Sequence, residues 1–68
     1  MIRLTIDDYL KKLGITRYEL AKRTDINFQT IDRYYKNNVV RYDGYVLDRI
    51  CKALDCGISD IIEYVKED

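Results

Sequence analysis

The side chains best equipped for chemistry in this 68-residue chain are Gln29, Asp32, Arg33 and Lys36. At 100° per residue they fall on the side of a short helix opposite Ile31 and Tyr34, so one face docks and the other is displayed. An amide, a carboxylate, a guanidinium and an ammonium donate and accept hydrogen bonds and pair with charge, which equips the face for recognition. Catalysis is poorly provided for. There is no His, Ser59 is assigned to a helix cap, and the carboxylates are scattered over helix starts and surfaces. Cys51 falls in a core register, where a thiol is inert. The glycines stand alone at 14, 44 and 57, so there is no glycine-rich phosphate loop. A zinc site needs more ligands than two cysteines and no histidine can offer. The chain is therefore read as non-enzymatic, with no cofactor and no metal.

The elements that must position this face follow from caps and periodicity. Ile2 and Leu4 alternate with Arg3 and Thr5, as a short extended arm or as the lead-in to a helix. Thr5 with Asp8 three residues on is an N-cap pattern, Leu4 is placed to staple against Tyr9, and Ile6, Tyr9, Leu10 and Leu13 share a helical face that ends at Gly14. Thr16 and Glu19 form a second capping box, opening a helix of about eight residues through Leu20, Ala21 and Thr24. Asp25 follows in a position that calls for the left-handed conformation, Ile26 points inward, and Asn27 caps a third helix from Phe28 to about Lys36. Asn37 and Asn38 suit a left-handed cap and turn. Asp43 caps a fourth helix, with Val46, Leu47, Ile50, Cys51 and Leu54 at core spacing. Gly57 breaks it, and Ser59 caps a last short helix whose apolar contacts are Ile61, Ile62 and Val65. The expected fold is all-α, a compact bundle of about five short helices in a single domain over residues 1–68.

Size and charge narrow the partners. A core of this size supplies only about 3–5 kcal/mol unless oligomerisation adds to it. The 12 basic and 12 acidic residues cancel, which by itself argues against a nucleic-acid partner. Their distribution points the other way. Residues 1–41 carry nine Lys and Arg against five Asp and Glu, a balance of +4, and residues 42–68 carry three against seven, a balance of −4. With no secretory leader before the domain, Cys51 and Cys56 are read as reduced thiols of a soluble, cytoplasmic protein. No apolar run approaches the roughly 18 residues of a membrane span. Among the seven tyrosines, Tyr9, Tyr34 and Tyr42 fall on apolar faces and are assigned to the core, while some of Tyr18, Tyr35, Tyr45 and Tyr64 are expected at an interface.

From Thr16 to Lys36 the chain resembles the helix-turn-helix of the phage Cro and repressor family, also called the xenobiotic-response-element family of bacterial regulators. The residues that carry the likeness are Leu13-Gly14-Ile15-Thr16, Tyr18-Glu19-Leu20-Ala21, Ile26, Ile31, and the trailing Leu47 and Ile50-Cys51-Lys52-Ala53-Leu54. It covers nearly the whole chain, and the closing CKALDCGISDIIEYV looks like the end of small stand-alone members. Three positions depart from the family pattern. Arg17 stands where Gln is usual, Asp25 where Gly is favoured in the turn, and Asn37 where Gly is favoured after the third helix.

The resemblance implies a bacterial or phage-encoded regulator that binds double-stranded DNA, with the third helix in the major groove and the second crossing the backbone. It places base reading on Phe28, Gln29, Asp32 and Arg33. Gln29 suits adenine, Arg33 guanine, Phe28 a thymine methyl, and Asp32 either a cytosine amine or an ion pair with Lys36. Phosphate contacts are expected from Arg17, Asn27, Lys36, Asn38 and Arg41. Such a domain alone would bind weakly, so a homodimer acting as a repressor on an inverted repeat is expected, with no small-molecule effector evident. The region around Tyr45, Ile61, Tyr64 and Val65, or the Ile2 to Thr5 arm, is the candidate dimer surface. The competing reading is a helical protein-interaction module on the same fold without DNA binding, motivated by zero net charge and by Asp25 and Asp32.

Overall fold

Ile2 and Leu4 flank Arg3 in an alternating run, and the folded chain uses that alternation as a strand. In the computed structural model, which describes residues 1–67, β1 (Ile2–Leu4) pairs antiparallel with β2 (Ile62–Tyr64). Between them come α1 (Ile6–Leu13), α2 (Arg17–Thr24), α3 (Phe28–Tyr35), α4 (Gly44–Leu54) and a 3-10 turn at Ile58–Asp60. The described residues are thus mostly helical, with four α-helices and a small sheet, which corrects the expectation of an all-α bundle of about five helices.

The difference lies at the two ends of the chain. Ser59 does not cap a helix. Gly57 N–H donates to Asp60 Oδ2 at 3.0 Å, and one 3-10 turn leads straight into β2. A helix of a few residues is marginal by itself. The β-branched and aromatic Ile62 and Tyr64 favour a pleated strand, and β1 supplies the partner. Thr5 is not a side-chain cap either. Its hydroxyl donates to Asp60 O at 3.1 Å and its N–H to Ile61 O at 2.7 Å, so it ties the start of α1 to the turn before β2.

The sheet register is Ile2 with Tyr64, Arg3 with Glu63 and Leu4 with Ile62. Met1 and Val65 exchange both backbone hydrogen bonds, at 2.6 and 2.7 Å. In an antiparallel ladder the bonded pairs alternate, so Ile2, Leu4, Ile62 and Tyr64 turn their backbone groups away from the partner strand. Leu4 finds its partner in Asn37, whose Oδ1 accepts from Leu4 N–H at 2.7 Å and whose Nδ2 donates to Leu4 O at 2.8 Å.

Leu4, Ile6, Leu10, Leu20, Ile31, Tyr34, Val46, Ile50, Leu54 and Ile61 form the buried core, so every helix and both ends of the chain contribute. Leu13, expected on the buried face of α1, is 44% exposed and lies at its margin. Truncating a buried Ile to Ala costs about 2–5 kcal/mol, which matches the whole stability of so small a core. Ile31, fully buried at the centre of α3, is therefore indispensable to the helix it anchors.

Candidate nucleic-acid interface

The pairing of α2 and α3 rests on local signals in the sequence. Thr16 Oγ1 accepts from Glu19 N–H at 3.1 Å, opening α2, and Asn27 Oδ1 accepts from Thr30 N–H at 2.9 Å, opening α3. In α2 only the threonine half of the expected box forms. The Glu19 carboxylate lies instead 3.7 Å from Arg23. Asp25 adopts the left-handed conformation at φ 58°, as its place in the turn requires. Thr24 is buried and satisfies itself. Its hydroxyl donates to Leu20 O at 2.9 Å and accepts from Ile26 N–H at 3.3 Å.

Two contacts from α4 hold this unit in place. Arg49 donates through Nε and Nη2 to Thr24 O, at 2.9 and 2.7 Å, closing the C-terminus of α2 with a positive charge. The buried Tyr34 accepts from Asp43 N–H at 2.9 Å, joining the inner face of α3 to the start of α4, while Asp43 Oδ1 caps that helix through Tyr45 N–H. Tyr42 meets Tyr34 edge to face at 6.5 Å, so both tyrosines assigned to this part of the core lie there.

On the displayed side the residues fall into two groups. Gln29 and Arg33 are exposed, and neither makes a side-chain hydrogen bond or ion pair among the described residues. Arg33, Asn27 and Arg41 border an open groove of about 610 Å³ between the starts of α3 and α4, with Thr30 and Tyr45 on its walls. Asn38 is exposed beyond the end of α3, its N–H donating to Arg33 O at 2.9 Å.

The second group is interlocked. Asp32 accepts from Arg17 at Oδ1, and its Oδ2 lies 3.2 Å from Lys36 Nζ. The Arg17 guanidinium lies over the Tyr35 ring at 4.6 Å and near the Phe28 ring at 5.9 Å, and Phe28 stacks on Tyr18 at 4.3 Å. Partial burial pushes the Asp32 carboxyl up, but hydrogen bonds from Lys36 and Arg17 and their charges outweigh it and hold it below the ordinary value of 3.8. The structure thus unites Arg17, Phe28, Asp32 and Lys36 in one cluster, and leaves Gln29 and Arg33 free beside it.

Several positioning residues escape a reading of the sequence. Arg49 carried one signal, a cation on the helix that flanks the end of α2, but its acceptor is a backbone carbonyl that no pattern marks. Tyr35 and Tyr18 were visible only as aromatics with no assigned place. Asn37 was identified as a left-handed cap, and its φ is 60° as expected, but its bonds to Leu4 are a tertiary fact. Among the described residues no three His, Cys, Asp or Glu side chains are grouped to hold a metal, and no helix is long and apolar enough to cross a membrane.

Comparison with known proteins agrees with this geometry. Residues 5–67 match the family model described as Cro/C1-type HTH DNA-binding domain. That match leaves β1 outside it. No match is found among curated proteins or among solved structures.

Proposed function

We propose that this chain, which belongs to the Cro/C1-type HTH DNA-binding domain family, is a sequence-specific transcriptional repressor that occupies an inverted-repeat operator as a homodimer. In this reading α3 enters the major groove, Gln29 and Arg33 contact base edges, and Arg17, Asn27, Lys36, Asn38 and Arg41 meet phosphates. Phe28, stacked on Tyr18, and Asp32, ion-paired with Arg17 and Lys36, face the same groove of the DNA.

The observation that supports the reading best is the two-sidedness of α3. Ile31 and Tyr34 are buried, the helix start is capped by Asn27, and Gln29 and Arg33 project without internal partners. A free guanidinium and a free amide on a rigid helix are pre-organised for bidentate contacts to guanine and adenine.

The dimer follows from affinity and from the sheet. About five phosphate contacts give weak, strongly salt-dependent binding, and a second half-site multiplies it. The Ile2 to Thr5 arm is already used inside the chain, paired with β2 on one side and with Asn37 on the other. The outer edge of β2 remains, with Tyr64 and Ile2 exposed beside it, and antiparallel pairing of two such edges is self-complementary.

Selection of bound sequences from random duplexes tests the reading. A symmetric consensus, with affinity lost on Arg33→Ala or Gln29→Ala, is the expected result. Recovery of no enriched sequence and no duplex binding at low salt would instead favour the protein-interaction module, to which the internally neutralised Arg17 and Lys36 lend some weight.

A further inference from the structure

We propose that Asp32 is a positioning residue that occupies Arg17 and Lys36 in the free protein as an internal substitute for phosphate, holding down the affinity of the helix-turn-helix for any duplex. The inference rests on the DNA reading given above and deepens it.

Both carboxylate oxygens are used, Oδ1 by Arg17 from the start of α2 and Oδ2 by Lys36 from the end of α3. The two cations expected to meet phosphate on either side of the reading face therefore converge on one anion at its centre. Arg17 also lies over the Tyr35 ring and near the Phe28 ring, which stacks on Tyr18, so leaving Asp32 costs the guanidinium these contacts as well. A carboxylate is an acceptor only, and it cannot turn from repelling to attracting a phosphate. DNA must therefore either draw the cations off Asp32 or accept its negative charge close by.

The effect falls on the sequence-independent part of binding. Each cation that neutralises a phosphate contributes about 0.9 to the slope of log affinity against log salt. With Arg17 and Lys36 already neutralised, the native protein contributes less than its count of cations suggests. Gln29 and Arg33 have no bond to Asp32, so base reading is left to them.

The test is an anisotropy titration of the selected duplex and of a scrambled duplex of equal length, between 50 and 200 mM salt. The variants are Asp32→Asn, Arg17→Gln and both together, with Asp48→Asn as a control. Asp48 is exposed on α4 without an ion pair among the described residues, so its variant carries the same change in net charge. Circular dichroism establishes that each variant folds.

Asp32→Asn is expected to bind both duplexes about tenfold more tightly at the lowest salt, with a slope steeper by about 0.9 to 1.8. Asp48→Asn should change affinity by less than about twofold. Arg17→Gln should weaken binding of both duplexes in the native background and weaken it markedly more beside Asp32→Asn. If a folded Asp32→Asn behaves like Asp48→Asn while the native protein binds, the proposal is overturned and the DNA reading stands. If it loses the selected duplex, Asp32 reads a base and the proposal is overturned likewise. If no variant binds any duplex, both fall.

Discussion

The side-chain amide of Asn37 pairs with both backbone groups of Leu4, accepting at 2.7 Å and donating at 2.8 Å, across 33 positions of sequence. It completes the inner edge of β1 as another strand would, and it sits just past the end of α3 at φ 60°. One residue thus supplies a left-handed cap and a latch between the sheet and the helix proposed to read DNA.

The two roles separate by mutation. Asn37→Gly keeps the backbone conformation and strands the polar groups of Leu4, a residue with no exposed surface, at an expected cost of about 1–3 kcal/mol. Asn37→Ala adds the strain of a positive φ, roughly 1 kcal/mol more. Urea titrations of the two variants should show that order. A glycine variant as stable as the native chain would remove the latch from the account.

Arg49 offers a second prediction. Its two bonds close the carbonyl of Thr24 at the turn between α2 and α3. Arg49→Met retains most of the apolar stem and loses both bonds, so stability should fall by about 1–3 kcal/mol. Amide exchange should quicken at Thr24 to Ile26 before it quickens in α4. Faster exchange confined to α4 would assign Arg49 to its own helix, where it also lies 5.5 Å from the Tyr45 ring.

Cys56 should be a slow thiol. Partial burial, the adjacent Cys51 thiol and the carboxylates of Asp60 and Asp55 push its pKa up to about 11 from 9.0. At pH 8 the reactive thiolate is then about a hundredfold scarcer than for a free cysteine, and alkylation of the native protein should lag the unfolded chain accordingly. The protonated thiol is favoured by folding, so this contribution is intact below pH 9 and is lost as pH rises toward about 11.

Asp32 moves the other way. Its carboxyl is held below 3.8, so the ion-paired form is favoured by folding, contributes above that pH, and is lost only as pH falls further. Side-chain carbon shifts should show Asp32 still mostly ionised at pH 3.8, where an isolated aspartate is half protonated. A midpoint for Asp32 at or above that pH would contradict the paired geometry.

Much of this was legible in the sequence because it is local. The caps at Thr16, Asn27 and Asp43, the left-handed residues at Asp25 and Asn37, the helix end at Gly14, and the inward pair Ile31 and Tyr34 are each set by neighbours within a few positions. What failed depends on contacts far apart in the chain. Ile61 to Val65 carried apolar residues compatible with a short helix, and only Ile2 to Leu4, some sixty residues away, makes them a strand. Thr5 had the sequence of a cap, but Asp60 and Ile61 claimed its polar groups.

The central claim, that α3 is the surface that meets duplex DNA, is tested most directly by backbone amide shifts during titration with a selected duplex. The largest changes are expected from Asn27 to Asn38, with a second set at Arg17 and Arg41, and little change through α4 from Ile50 to Leu54. Shifts concentrated in α4 and the Ile58–Asp60 turn, with α3 silent, would contradict it.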